Sequence, residues 1–147
     1  MIPASCKNQD MVIVQVLGQI KNKFLIERVS ELILESIIPN KLTTPVDVTI
    51  NVLTECDEQA GGFCWGDNTE VEIEIARTSN SHAYSRKSIL TNLAHELIHA
   101  KQFIKGELHP NLNRWKSLDY SNTAYSRQPW EKEAYLLEDK LLETYWK

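Results

Sequence analysis

The segment from Arg86 to Ile104 constrains this chain most, because it sets His95-Glu96-Leu97-Ile98-His99 into a stretch with helical periodicity. At about 100° per residue, His95 and His99 fall roughly 40° apart and one turn apart, as two ligands of one metal must. Ser88 and Asn92 share that side, while Leu90, Leu93, Ala94 and Leu97 cover the opposite one. Glu96 projects at the border of the histidine face, beside the ligand pair rather than in it. The fold must therefore bury the back of this helix in a core and leave its front open. Gly106 supplies the stop.

The other elements follow from periodicity. Ile20, Phe24, Val29, Leu32, Ile33 and Ile37 predict a helix over residues 19–38, ended by Pro39 and Asn40. Met11 to Leu17 fits either a strand or an earlier start of that helix. Val46, Val48, Ile50 and Val52 alternate with polar residues, as a half-buried strand does. Gly61 to Gly66 reads as a short edge strand, and Val71, Ile73 and Ile75 alternate with Glu70, Glu72 and Glu74 in a third. That glutamate row is read as a solvated sheet face. A loop of about twenty residues after Gly106 is long enough to suggest a functional segment. Pro129 then opens a last helix. The expected class is α+β, a single domain over residues 1–147: an N-terminal helix, a three-stranded sheet, the histidine helix, a loop and a C-terminal helix.

The formal net charge of −4, with Lys and Arg scattered, gives no electrostatic footprint for nucleic acid or an anionic membrane. No apolar run approaches the roughly 18 residues of a membrane span, and no secretory leader is evident in MIPASCKNQD. Cys6, Cys56 and Cys64 have no metal-ligand spacing. They read as free thiols in a reducing compartment, with a Cys56–Cys64 disulfide as the lesser alternative. The expected location is the cytoplasm.

Two neutral imidazoles with a carboxylate favour Zn2+. A catalytic zinc site keeps three protein ligands and one open position, and the last helix offers Glu131, Glu133, Glu138 and Glu143. Glu133 borders the face formed by Trp130, Ala134, Leu137 and Leu141, where a buried carboxylate needs a partner. Glu131 and Glu138 fall together on a flank. The expected metal ligands are His95, His99 and Glu133.

His95-Glu96-Leu97-Ile98-His99 followed by Trp130-Glu131-Lys132-Glu133-Ala134 resembles the gluzincin metallopeptidases. It is closest to the compact minigluzincins and to small phage-type and SprT-like peptidases. The resemblance implies a minimal zincin-like domain that hydrolyses peptide bonds, with Glu96 as general base and a glutamate on a later helix as third ligand. A donor for the developing oxyanion is sought among His82, His109, Tyr120, Tyr125 and Arg127, and Tyr125 is chosen for its place just before the Glu133 helix. The resemblance further implies that a peptide or protein substrate lies along an edge strand, here Gly61 to Gly66 with Trp65 at the rim. Two alternatives are a SprT-like protease acting on DNA-associated proteins and a metal-stabilised binding module without turnover. The acidic balance argues against the first and Glu96 against the second. A fourth ligand such as His109 or Cys64 would favour the module. Oligomeric state is not legible.

Overall fold

The computed structural model describes residues 12–38, 42 and 44–146. The helix stop at Pro39 and Asn40, and Cys6, lie outside them. The class is α+β. Strand β1 (Val12–Gly18) leads through helix α1 (Lys23–Ile37) to β2 (Val46–Leu53), then β3 (Gly62–Gly66) and β4 (Glu70–Ala76). Two-residue strands β5 (Thr78–Ser79) and β6 (His82–Ala83) precede helix α2 (Arg86–Ile104). Strands β7 (Arg114–Trp115) and β8 (Leu118–Asp119) precede helix α3 (Pro129–Tyr145).

The main sheet has four strands in the order β1-β2-β4-β3, not the expected three. The added strand is the segment that periodicity left open. Val12, Val14 and Val16 are buried while Ile13, Gln15 and Leu17 are not, a period of two that only a strand gives. β1 and β4 both run parallel to β2, so the chain needs a crossover between β1 and β2, and α1 supplies it. β3 pairs antiparallel with β4 at the edge of the sheet. Across the register, Val16, Ile50, Ile73 and Cys64 form one row on the core face. Phe63 and Trp65 alternate to the other face, with Glu72 and Glu74 opposite them. Cys56 and Cys64 are free.

Helix α1 begins at Lys23, later than expected, after Asn22 takes left-handed φ/ψ. Its buried face is Ile26, Val29, Ser30, Ile33 and Leu34, and Phe24, expected on that face, is 86% exposed. Helix α2 matches its expected limits. The Ser85 hydroxyl accepts from the Ser88 N–H at 3.1 Å, capping its first turn, and Gly106 takes φ 74° just beyond its end. α2 packs against β3, β4, α1 and α3, which buries the whole run from Leu93 to Ile104. One apolar cluster joins the sheet, all three helices, Leu108 and Trp115. No helix among the described residues is long and apolar enough to cross a membrane.

Candidate metal centre

Helix α3 brings the second half of the site to α2. It buries Trp130, Ala134 and Leu141, a stripe at i, i+4 and i+11. Glu131, Tyr135 and Glu138 run beside that stripe on one flank, and Glu133 lies on the other. The flank carrying Glu131 meets the histidines. Glu131 Oε1 lies 3.0 Å from His95 Nε2 and 3.2 Å from His99 Nε2, and it accepts a hydrogen bond from the Tyr125 hydroxyl at 3.0 Å. The ligand atoms of His95, His99 and Glu131 all lie within 4.8 Å of one another.

The expected ligand Glu133 is elsewhere. Its Oε1 accepts from Lys101 Nζ at 2.8 Å and from Gln102 Nε2 at 3.0 Å. Glu131 and Glu133 are two residues apart and diverge by about 200° on a helix, so one excludes the other from the centre. Both border the buried stripe of α3, at about 100° on one side of Trp130 and about 60° on the other. Helical angles alone do not say which flank faces the histidines; the direction in which α3 crosses α2 does.

Burial is the largest single influence on Glu96, His99 and Glu131, but their partners decide the direction at Glu131 and His99. Glu96 is buried, which lifts its carboxyl to about 7 despite the opposing fields of His99 and His95. Burial would raise Glu131 as well, but hydrogen bonds from His95, His99 and Tyr125 outweigh it and hold this carboxyl at about 2. Its place in the first turn of α3 favours the same charged form. His99 is raised, because Glu131 and Glu96 overcome the effect of burial. Burial pushes the Tyr125 hydroxyl far above its usual range, helped by Tyr135 and Glu131, so it stays protonated as a donor. Burial also raises the Cys64 thiol well above its usual value, keeping it neutral.

The surroundings position each group. His99 Nδ1 is 2.7 Å from Gln102 Oε1, and His95 Nδ1 is 3.7 Å from Glu138 Oε2. The Tyr135 ring stands edge-on to His95 with centroids 4.6 Å apart, and its hydroxyl is 3.2 Å from that of Tyr125. Gly62 lies against Glu96: a Cβ there would fall 3.1 Å from Glu96 Cγ and 2.8 Å from the Glu74 carbonyl oxygen. A cleft of about 390 Å³ opens over these residues, floored by Phe103, Leu108 and Trp130 and bounded by Phe63 and Cys64 on the β3 side. Trp65, expected at its rim, is not among the lining residues. The long loop after α2 is anchored rather than free: Trp115 and Tyr120 pack on Trp130, and the loop delivers Leu108, Leu112 and Tyr125 to the cleft.

Of the expected site residues, His95, Glu96, His99 and Tyr125 converge, whereas Glu133, His82 and His109 do not line the cleft. Tyr120 packs on Trp130 instead. Two neighbours, Tyr135 and Gln102, escaped sequence reasoning, and Glu138 was weighed there only as a flank glutamate. Tyr135 and Glu138 follow Glu131 at i+4 and i+7, and Gln102 follows His99 at i+3, spacings that put them on the same helix faces. Searches with the chain against protein-family models, curated proteins and solved structures found no match.

Proposed function

We propose that the chain is a zinc-dependent peptidase of the zincin-like, gluzincin type, with His95, His99 and Glu131 holding the metal. The observation that carries this reading is the buried carboxyl of Glu96, standing beside a three-residue ligand group at the floor of a cleft. The donor set fits zinc: two ligand atoms about 2.0–2.1 Å from a tetrahedral ion lie roughly 3.4 Å apart. Glu131 Oε1 sits 3.0 Å and 3.2 Å from the two imidazole nitrogens and the three ligand atoms lie within 4.8 Å of one another, so side-chain rotation would have to draw the set together. When bound, zinc lowers the pKa of water towards neutrality and polarises a carbonyl oxygen. A closed structural site would need a fourth protein ligand. Among the described residues only these three form such a group, which supports turnover over a purely structural role.

The chain's own residues divide the remaining work. Glu96, buried beside the ligand group, can take a proton from the attacking water and return it to the leaving amine. Tyr125 keeps its proton, which it donates in a hydrogen bond to Glu131 Oε1 in this structure, and would turn it from Glu131 towards the developing oxyanion during turnover. Phe103, Leu108 and Trp130 line the cleft with apolar surface. A peptide or an exposed protein segment is the substrate.

The test is hydrolysis of a quenched fluorescent peptide library by zinc-loaded protein. The parent is expected to cleave members of the library, and Glu96→Gln to abolish turnover while keeping its zinc. Near-normal turnover by Glu96→Gln would remove the general base, and a zinc-loaded parent inert to the whole library would overturn the activity.

A further inference from the structure

Gln102 has none of its surface exposed, and every polar atom of its side chain has a partner. Its Nε2 donates to the Trp130 carbonyl at 2.9 Å and to Glu133 Oε1 at 3.0 Å. Both partners can only accept: one is a backbone carbonyl, the other a carboxylate that also takes a hydrogen bond from Lys101 at 2.8 Å. The amide therefore has one satisfied orientation. Reversing it would set its oxygen against two acceptors in a buried place, at a cost of about 1–3 kcal/mol for each unmade bond. In the satisfied orientation Oε1 faces His99 Nδ1 at 2.7 Å. A carbonyl oxygen accepts and cannot donate, so Nδ1 must carry the proton. Nε2 also faces an acceptor, Glu131 Oε1 at 3.2 Å, but that oxygen has two other donors, His95 Nε2 and the Tyr125 hydroxyl, each at 3.0 Å. The locked amide oxygen is met by Nδ1 alone among the described residues, so a neutral ring keeps its proton on Nδ1 and its lone pair on Nε2.

We infer that Gln102, locked by Glu133 and the Trp130 carbonyl, is the positioning residue that fixes His99 with its proton on Nδ1 and its Nε2 free to bind a metal. This gives Glu133, expected as a ligand but bonded to Lys101 and Gln102 in the structure, a role one residue further out. Lys101 holds Glu133, Glu133 holds the amide, and the amide holds the imidazole. The two histidines differ in their surroundings: His99 Nδ1 is hydrogen-bonded to a neutral amide at 2.7 Å, whereas the carboxylate nearest His95 Nδ1, that of Glu138, stands off at 3.7 Å. The coordination part of this inference rests on the metal site proposed above. The tautomer does not.

Long-range proton–nitrogen NMR correlations of the His99 ring separate the two. In metal-free parent, at a pH where the ring is neutral, Nδ1 is expected to be the protonated nitrogen. In zinc-loaded parent the same proton is expected to persist on Nδ1, shielded from solvent exchange. A proton on Nε2 of the neutral ring, or zinc coordinated through Nδ1, overturns the inference even if no variant folds. Gln102→Met keeps the volume and removes the acceptor. It is expected to abolish the exchange protection of the Nδ1 proton and to weaken zinc binding by about 10–100-fold, the usual loss on removing an outer partner. The exchanged pair Gln102→Glu with Glu133→Gln restores an acceptor at Nδ1 and one donor to hold it but leaves the Trp130 carbonyl facing a carboxylate oxygen, so it should recover only part of that affinity. A structural role for Gln102 alone predicts neither the proton signature nor the recovery. Parent-like zinc affinity and Nδ1 protection in Gln102→Met would refute the positioning role. A parent that takes up no zinc would instead refute the proposed function, and the metal-free spectrum would still decide the tautomer.

Discussion

Replacing Glu96 with Gln in metal-free protein should stabilise the fold at neutral and alkaline pH and leave it nearly unchanged in acid. Glu96 is 7% exposed, and burial raises its carboxyl from 4.5 to about 7. A folded value above the unfolded one means that the folded state keeps a proton the unfolded chain has released. The stability of the neutral form is therefore fully present below pH 4.5 and is lost as the pH rises through about 7. Above that point the buried carboxylate is ionised. A rise from 4.5 to about 7 corresponds to roughly 3 kcal/mol at about 1.4 kcal/mol per pH unit. Gln keeps the shape without the charge and should recover a gain of that order at pH 8 and little at pH 4.5. Urea denaturation of parent and variant in a chelator, at both pH values, measures the difference directly. A stability difference that does not change between the two pH values would refute the reasoning. So would a less stable variant at pH 8.

Two further substitutions probe the framework around the site. Lys101 has a side chain 8% exposed and lies 2.8 Å from both Glu107 and Glu133, so Lys101→Met should cost about 3–5 kcal/mol, the usual price of breaking a buried pair. The low end is expected, because Lys105 and Lys116 remain 3.7 Å and 3.9 Å from Glu107; a urea midpoint equal to the parent's would show the cluster to be solvated. Gly62→Ala must shift either the β3 edge or Glu96, since the added Cβ would meet the Glu74 carbonyl at 2.8 Å and Glu96 Cγ at 3.1 Å. Peptide hydrolysis should then fall by about 10²-fold through misplacement of the base, with zinc content unchanged; parent-like kcat would show that the site tolerates the displacement.

The elements that place the site were legible where a single period dominates. Helix α2 carries its histidines, its apolar back and its caps in one continuous pattern, and β2 and β4 alternate without interruption. Val12 to Leu17 did not declare itself because β-branched residues suit a buried strand and also fit a short amphipathic turn. What settles it is the parallel register with β2, a partner 34 residues away in the pairing of Val12 with Val46. The different placement of Glu131 and Glu133 was not legible for another reason. Helical angles rank residues by nearness to a buried stripe, yet both glutamates flank that stripe, and only tertiary packing chooses between the flanks. Gln102 was hidden by its chemistry: a buried amide gives no sequence signal until its acceptors, a backbone carbonyl and a carboxylate from another helix, are in place.

The central claim is that His95, His99 and Glu131 form one zinc site. Its most direct test is the zinc affinity of the parent, Glu131→Ala and Glu133→Ala, measured by competition with a chromophoric chelator alongside elemental analysis. The parent should hold about one zinc per chain, as one set of three ligands requires. Glu131→Ala should lose affinity by more than the roughly 10–100-fold expected for an outer partner, and Glu133→Ala by no more than that. A parent without zinc after metal-replete purification would contradict the account, as would a Glu131→Ala variant that keeps the metal while Glu133→Ala loses it.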